Sequence, residues 1–149
     1  MKRNIAIFTG GNSSEAEISL LSAETVVNNI DVSKYQPYMV LISENKWIIK
    51  RTAQQDILVD KNDFSCTIGG EKIKFDCAFI VIHGTPGEDG KLQGYLDMQG
   101  VPYTTSGQLT TALTFDKNAC KIYLANHGVR MPGSILLNKG QAYTQKDII

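Results

Sequence analysis

The feature of the sequence that most constrains the fold is an apolar segment that passes through two glycines into a helical pattern. The segment NIAIF, residues 4–8, is rich in β-forming residues. Such a run is typical of a parallel strand that is buried on both faces. Gly10 and Gly11 follow. Apolar side chains then recur at helical spacing, at Ala16, Leu20, Ala23, Val27 and Ile30. This order of strand, glycine loop and helix predicts an α/β fold.

Further strands and helices are predicted along the rest of the chain. The pattern predicts strands over 37–43, 46–49, 77–82, 101–104 and 134–138, and a hairpin over 65–75. It predicts helices over 91–99, 108–115 and 116–127. Residues 50–63 are polar and poorly patterned, and no strand is predicted there. Strands that alternate with helices predict an open, mainly parallel sheet flanked by helices.

Two polar stretches directly follow predicted strands. TGGNSSE, residues 9–15, follows the first strand, and HGTPGEDG, residues 83–90, follows the strand over 77–82. Ligands of open α/β sheets bind beyond the carboxyl ends of the strands. If these two strands are neighbours, both loops face one crevice.

The glycine loop matches neither common phosphate-binding motif. It lacks the G-K-[ST] of a Walker loop and the G-x-G-x-x-G of a dinucleotide site. Free amides of Gly10 and Gly11 at a helix N-terminus could still receive a carboxylate or a phosphate. The alternative is that the two glycines only let the chain turn.

The start of the first helix carries local capping patterns. Ser14 with Glu17 has the spacing of a capping box, and Asn12 with Glu15 has the same spacing. Glu15 and Glu17 would also complement the helix dipole without binding anything.

The second polar stretch offers three candidate metal ligands, His83, Glu88 and Asp89. Three hard or mixed ligands from one loop form no recognised zinc spacing, so a metal site is disfavoured. Glu88, Asp89 and Gly90 are expected to shape the loop and to cap the following helix.

Composition excludes several classes of partner. The 149 residues suffice for about one domain, and 15 basic residues balance 15 acidic ones. This charge balance disfavours nucleic acid and anionic membranes, and a small neutral or zwitterionic partner fits better. Three well-separated cysteines, Cys66, Cys77 and Cys120, favour free thiols in a reducing compartment. The longest apolar run is the six residues 77–82, and the N-terminus resembles no signal peptide, so we expect a cytoplasmic protein.

Three stretches together resemble a known family. GGNSSEAEISLLSA resembles the N-terminal signature of D-alanine:D-alanine ligases, and HGTPGEDGKLQGYLDMQGVPYTTSG resembles their second signature. ALTFDKNACK follows at the matching distance. The resemblance covers nearly the whole chain in order and spacing. Ala16 departs from the larger polar residue often found there. Because ligases of this ATP-grasp family are considerably longer, the resemblance extends only to their N-terminal domain.

The resemblance implies a domain organisation and an activity. It implies a Rossmann-like pre-ATP-grasp domain over residues 1–138, with residues 139–149 starting the central ATP-grasp domain. The family joins two D-alanines for peptidoglycan precursors through an acyl phosphate, using ATP and Mg²⁺ or Mn²⁺. Thr144 and Asp147 resemble the first turn of a further helix, so the chain is expected to be a fragment, inactive alone. The second substrate, D-alanine or D-lactate, stays open.

The resemblance also implies site residues and partners. It places Glu15 near the ammonium of the first D-alanine and His83 in the same subsite, both as catalytic and substrate-binding residues. It also implies that Gly10, Gly11 and Ser14 of the same loop bind substrate. Lys117 matches a lysine that reaches an ATP phosphate, and no metal ligand is expected in this chain. A homodimer is also implied. The alternatives are a stand-alone module that binds a nucleotide or carboxylate, and a dimerisation scaffold.

Overall fold

The computed structural model describes residues 2–50 and 55–144, which form seven strands and four helices. No helix in this part is long and apolar enough to cross a membrane. The strands are β1 (Arg3–Gly10), β2 (Tyr35–Ser43), β3 (Lys46–Ile49), β4 (Ile57–Asp60), β5 (Ser65–Ile68), β6 (Glu71–Lys74) and β7 (Cys77–Ile80). The helices are α1 (Ala16–Asn29), α2 (Lys91–Gln99), α3 (Gln108–Phe115) and α4 (Lys117–Ala125).

The strands form one sheet in the order β6-β5-β4-β3-β2-β1-β7. β1 pairs in parallel with β2 and with β7, and Ile5 lies opposite both Pro37 and Cys77. The pairings from β2 through β6 are antiparallel. The predicted α/β fold is confirmed, but the sheet is mixed and not mainly parallel, because the strands after β2 run back and forth beside one another without a described helix between them. The parallel part contains the strands that precede both polar loops. The carboxyl ends of β1 and β7 therefore lie side by side.

β1 is buried on both faces, as its apolar run predicts. Ile5 and Ile7 pack with Ala23 of α1 on one face of the sheet. Ala6 and Phe8 belong to the larger core on the other face, which also contains buried side chains of α2. Successive side chains of a strand point to opposite faces, so an unbroken apolar strand requires a helix on each side. The α1 and α2 helices meet this requirement.

Aromatic rings fill the larger core between the antiparallel strands and α2. Phe64 stacks on Phe8 with ring centroids 5.6 Å apart, and Trp47 meets Tyr95 edge-on at 4.8 Å. The Tyr95 hydroxyl donates a hydrogen bond to the carbonyl of Lys61 at 2.8 Å. Burial raises the pKa of Tyr95 to about 12. Tyr95 therefore stays a neutral donor that ties α2 to the turn after β4.

Several local predictions are confirmed. The hairpin turns at Gly69 and Gly70 between β5 and β6, and Gly100 ends α2 in the left-handed conformation with φ of 66°. The helices α3 and α4 lie where the pattern predicts them. The predicted helix opening at Thr144 and Asp147 extends beyond the described residues.

Three predicted strand assignments differ from the structure. β4 pairs with β3 and β5 in a segment predicted to lack a strand, because four residues are too few to show a clear alternation. Residues 134–138 form no strand; they find no ladder partner in the described part, and Ile135 is 59% exposed. Residues 101–104 contribute only an isolated bridge from Tyr103 to Ala78 of β7.

We predict that truncation of Leu96 tests the packing of α2 on the sheet. Leu96 is fully buried, so Leu96→Ala is expected to lower the free energy of unfolding by about 2–5 kcal/mol. Met98 lies on the same helix and is 80% exposed, so Met98→Ala is expected to change the free energy of unfolding by less than about 0.5 kcal/mol. Urea unfolding of both variants measures the difference. Equal effects would contradict the described packing of α2.

Candidate functional site

The two polar loops lie against each other at the carboxyl ends of β1 and β7. We call residues 10–15 the glycine loop and residues 83–90 the histidine loop. The amide of Asn12 donates to the carbonyl of Thr85 at 3.0 Å. The hydroxyl of Ser13 donates to the carbonyl of His83 at 2.7 Å. The strands β1 and β7 are neighbours, and the loops that follow them lie together at one end of the sheet, as expected.

A buried hydroxyl joins the three elements that carry these loops. Ser19 of α1 is fully buried and donates to the carbonyl of Val81 at 2.8 Å, just beyond β7. Its oxygen accepts from the amide of Gly10 at 3.0 Å, at the end of β1. Because the Ser19 proton is used on Val81, the hydroxyl of Thr9, 3.1 Å away, is the donor in the third contact. One side chain thus fixes α1, β1 and β7 relative to one another.

Ser13 organises the start of α1 in place of the predicted capping box. Its hydroxyl accepts from the amide of Glu15 at 3.2 Å while donating across to the histidine loop. Glu15 precedes the first helical residue and its side chain makes no capping hydrogen bond. Ser14 is exposed, and Asn12 accepts instead from the amide of Glu44 at 2.9 Å. Both predicted capping boxes are wrong, because the helix begins at Ala16 and Glu15 therefore occupies the N-cap position in place of Asn12 or Ser14.

The amides of the glycine pair are occupied within the protein. The Gly10 amide donates to Ser19, and the Gly11 amide donates to the carbonyl of Ile42 at 2.9 Å. These amides are therefore not free to receive a carboxylate or phosphate, and the alternative that the two glycines let the chain turn is the one that holds. The two glycines shape the loop instead of presenting donors.

Close contact between the loops explains two of the glycines. Gly11 has φ of 98°, and a Cβ there would lie 2.7 Å from Cγ2 of Ile82. Gly84 has φ of 79°, and a Cβ there would lie 2.9 Å from Cβ of Ser13. An L side chain would be strained by the backbone and would collide with the neighbouring loop. Glycine is required where the loops cross.

Glu15 and His83 meet at this junction. Nδ1 of His83 lies 3.4 Å from Oε2 of Glu15, and the side chains are 39% and 57% exposed. The sequence separates these residues widely, and the neighbouring positions of β1 and β7 bring them together. A carboxylate beside an imidazole can attract a ligand ammonium while the ring offers a hydrogen bond. Both side chains remain accessible to a small molecule.

The acidic residues of the histidine loop bind within the loop and to the first residue of α2. Oε2 of Glu88 accepts from the amide of Gly84 at 2.7 Å. Asp89 pairs with Lys91 at 2.6 Å. Although burial alone would raise the pKa of Asp89, hydrogen bonds from Lys91 and Thr85 lower it below its usual value. The predicted loop-shaping role of these two acids is confirmed. No three His, Cys, Asp or Glu side chains among the described residues are grouped to hold a metal ion.

An open cleft of about 520 Å³ lies between the histidine loop and the helices α3 and α4. Its lining presents polar and apolar surface in about equal parts and comprises Gly87, Glu88, Thr105, Ser106, Thr111, Thr114, Phe115 and Lys117. Lys117 is exposed at the start of α4 and forms no ion pair with another described residue. Asp116 caps α4 by accepting from the amides of residues 118 and 119, each at 2.9 Å. The amides of residues 118 and 119 are thus occupied, and the Lys117 side chain is a charged donor that the helix start leaves available.

Ser13, Ser19 and Gln93 are structurally important residues that the sequence patterns did not single out. Ser19 carried a signal, because it lies three residues after Ala16 and four before Ala23, within the apolar stripe of α1. A polar side chain at such a position must find a buried partner. Ser13 is adjacent to Ser14 in the sequence, and no local pattern distinguishes the two.

One protein-family model matches more than half of the chain. The family model described as D-ala D-ala ligase N-terminus matches residues 4–106, which include all but the first residue of β1, both loops and α2. The chain belongs to the D-Ala-D-Ala ligase family. The match ends at residue 106, so it includes Glu15 and His83 but not Lys117.

Curated relatives of this ligase family match the chain over almost all its length. The D-alanine--D-alanine ligase of Bacteroides fragilis (strain YCH46) is 48% identical over 149 residues, which are 100% of this chain and 46% of that protein. The ligase of Porphyromonas gingivalis (strain ATCC BAA-308 / W83) is 42% identical over 144 residues, 97% of this chain and 43% of that protein. The chain therefore spans less than half the length of these relatives.

Solved ligase structures share the fold. The VanG D-Ala:D-Ser ligase from Enterococcus faecalis superposes with a TM-score of 0.77 at 28% identity, covering 89% of this chain and 44% of that one. The D-alanine--D-alanine ligase from Bacillus anthracis complexed with ATP gives a TM-score of 0.72 at 27% identity, covering 99% of this chain and 42% of that one. The chain therefore shares the fold of ligases whose names give different second substrates.

We predict that the Ser19 hydroxyl stabilises the site. Ser19→Ala leaves the buried carbonyl of Val81 and amide of Gly10 without this partner and is expected to cost about 1–3 kcal/mol of unfolding free energy. Ser22 on the same helix donates only to the carbonyl of Ile18, so Ser22→Ala is expected to change it by less than about 0.5 kcal/mol. Chemical denaturation compares the two. If Ser19→Ala is no more damaging than Ser22→Ala, the three-element junction does not depend on this hydroxyl.

Proposed function

We propose that the protein is an ATP-dependent D-alanine:D-alanine ligase for peptidoglycan precursors, and that residues 1–138 form its substrate domain, followed at 139–149 by the start of the ATP-grasp central domain. The observation that carries this proposal is the junction of Glu15 with His83 in a chain of this family. Relatives about twice as long as the chain support the view that other regions complete the enzyme. The chain alone is then inactive.

Glu15 is proposed to bind the ammonium of the first D-alanine. Its carboxylate is 57% exposed and lies at the start of α1, where the Ser13 hydroxyl orders the adjacent backbone. A carboxylate that is ordered but accessible can form a charge-assisted hydrogen bond with an ammonium. Gly10, Gly11 and Ser14 contribute to this subsite as parts of the loop. They give it shape, since both glycine amides are already used.

His83 is proposed to line the same subsite and to stabilise charge that develops during the reaction. Its backbone carbonyl is held by Ser13 and its ring by contact with Glu15, so the ring is oriented before a ligand binds. A preoriented donor stabilises developing negative charge more effectively than one that must reorganise. The imidazole thus acts on the carboxyl end of the substrate while Glu15 holds the amino end.

Lys117 is proposed to contact a phosphate of ATP. The Lys117 ammonium forms no ion pair among the described residues and lies at a cleft of about 520 Å³, which suits a phosphate, and the amides of residues 118 and 119 are taken by Asp116. ATP supplies the phosphoryl group that activates the substrate carboxylate. For Mg²⁺ the described residues do not fit, because they present no cluster of metal-ligating side chains. The metal ligands are proposed to come from other regions of the enzyme.

We predict that Glu15→Gln weakens use of the first D-alanine in the full-length protein. The substitution keeps the size but removes the charge, so kcat/KM for this substrate is expected to fall roughly 10- to 150-fold, equal to about 1.5–3 kcal/mol. Glu17 is exposed in the first turn of the same helix, so Glu17→Gln is the matched control and is expected to keep normal kinetics. Steady-state phosphate release at subsaturating D-alanine measures both. Full kcat/KM in Glu15→Gln would show that this carboxylate does not bind substrate.

We predict a different kinetic pattern for His83→Ala. If the ring meets charge that develops only in the transition state, kcat is expected to fall on the order of tenfold or more while the KM for D-alanine changes little. Melting temperatures near that of the wild type must accompany the result. An increase of KM alone would contradict the proposed role and assign His83 to ground-state binding.

We also propose that the protein forms a homodimer through the outer face of α1. Ile18 and Leu21 lie three residues apart on this helix and are 51% and 64% exposed, so they share an apolar patch. A twofold contact is the commonest way to close such a surface. We predict a dimer in sedimentation at roughly micromolar concentration, weakened about tenfold or more by Leu21→Glu. Met98→Glu, on the opposite face of the sheet, is the control. A monomer throughout this range would refute the dimer.

A further inference from the structure

Gln93 is a polar side chain in the middle of the buried face of α2. It is fully buried, as are Leu92 beside it and Leu96 about one turn further along the helix. Its Nε2 donates to the carbonyl of Gly87 at 2.6 Å and to the hydroxyl of Thr105 at 3.0 Å. These two acceptors belong to segments that are separated along the chain by the whole of α2. The two hydrogens of one amide therefore join the histidine loop to the segment before α3.

The orientation of the Gln93 amide follows from its partners. The carbonyl of Gly87 can only accept, so the group 2.6 Å from it must be the NH₂ and not the oxygen. The amide oxygen Oε1 is buried and has no hydrogen-bond partner in the described part of the chain. Burying an unpaired oxygen costs free energy that a leucine at this position would avoid. The compensating benefit of Gln93 must lie in the two bonds made by its nitrogen.

Both partners of Gln93 line the cleft that contains Lys117. Gly87 is already packed against Ile82 on its other side, where an added Cβ would lie 2.6 Å from Cβ of Ile82. The loop at Gly87 is thus fixed from two sides, and Thr105 is drawn toward it by the same amide. We propose that Gln93 is a positioning residue that sets the separation of these two sides of the cleft. Its consequence for catalysis rests on the ligase function proposed above.

The structural part of the proposal is tested by amide hydrogen exchange on Gln93→Leu. The substitution keeps a buried side chain of similar size and removes both bonds. Exchange in residues 84–92 and 103–108 is expected to become roughly tenfold faster, because each segment loses its link to α2. Gln99 lies on the same helix and donates to the carbonyl of Asn62, far along the sequence from the cleft segments, so Gln99→Leu is the matched control. Unchanged exchange in both segments of Gln93→Leu would overturn the proposal.

A second, milder variant tests the same bridge if Gln93→Leu does not fold. Thr105 is exposed, and Thr105→Val removes only the hydroxyl that accepts from Gln93. It is expected to speed exchange in residues 103–108 and to leave residues 84–92 nearly as protected as in the wild type. An equal loss of protection in both segments would contradict a bridge with two separate ends.

Kinetics of the full-length protein test the positioning role. Because small displacements of a reacting geometry are costly, Gln93→Leu is expected to lower kcat on the order of tenfold with less than about threefold change in the KM for D-alanine. Gln99→Leu is expected to keep the wild-type kcat. Faster exchange with an unchanged kcat would overturn the positioning role and leave a structural one. A wild-type protein without D-alanine-dependent phosphate release would refute the ligase proposal instead, and exchange alone would then decide whether Gln93 joins the two segments.

Discussion

The candidate site depends on the hydroxyl of Ser19 more than on any other single group. It has one proton and two lone pairs, and all three are used, on Val81, Gly10 and Thr9. These partners lie at the ends of the two strands from which the loops emerge. A buried hydroxyl with every valence satisfied resists displacement, because each lost bond would leave a polar group without water. The relative position of Glu15 and His83 follows from this junction.

The arrangement of β1 explains why the junction can exist. A strand with a parallel neighbour on each side and a helix on each face has no freedom to shift its register. Its last residues therefore stop at a defined height beside the end of β7. The loops that follow are only partly exposed, and the residues that precede them, Thr9 and Ile82, are buried. The positions of the two loops at the surface are thus set by the buried strands from which they emerge.

Features that depend on a short segment could be predicted from the sequence. Features that depend on which distant segment a residue contacts could not. The apolar run of β1, the periodicity of α1 and the turn at Gly69 and Gly70 are properties of short segments, and each was predictable. The proximity of Glu15 and His83 could be predicted, because neighbouring parallel strands place their carboxyl ends together. The 3.4 Å distance between Nδ1 of His83 and Oε2 of Glu15 could not. The prediction of a strand over 134–138 was wrong, because an apolar run does not specify a neighbouring strand to pair with. The sequence did not show that the Gly10 and Gly11 amides are occupied, because their acceptors, Ser19 and Ile42, lie on other elements that only the folded chain brings to them.

The two outer strands of the sheet limit how the protein can associate with other chains. β6 forms one edge and carries Glu71, Lys72 and Lys74, whose charges oppose pairing with a foreign strand. At the other edge the backbone of residues 102–104 already bonds to Ala78 of β7. Edge-to-edge addition, the usual route from a native sheet to a fibril, is thus obstructed at both ends. Contacts between copies are left to helix faces, where side-chain shape can restrict growth to a closed assembly.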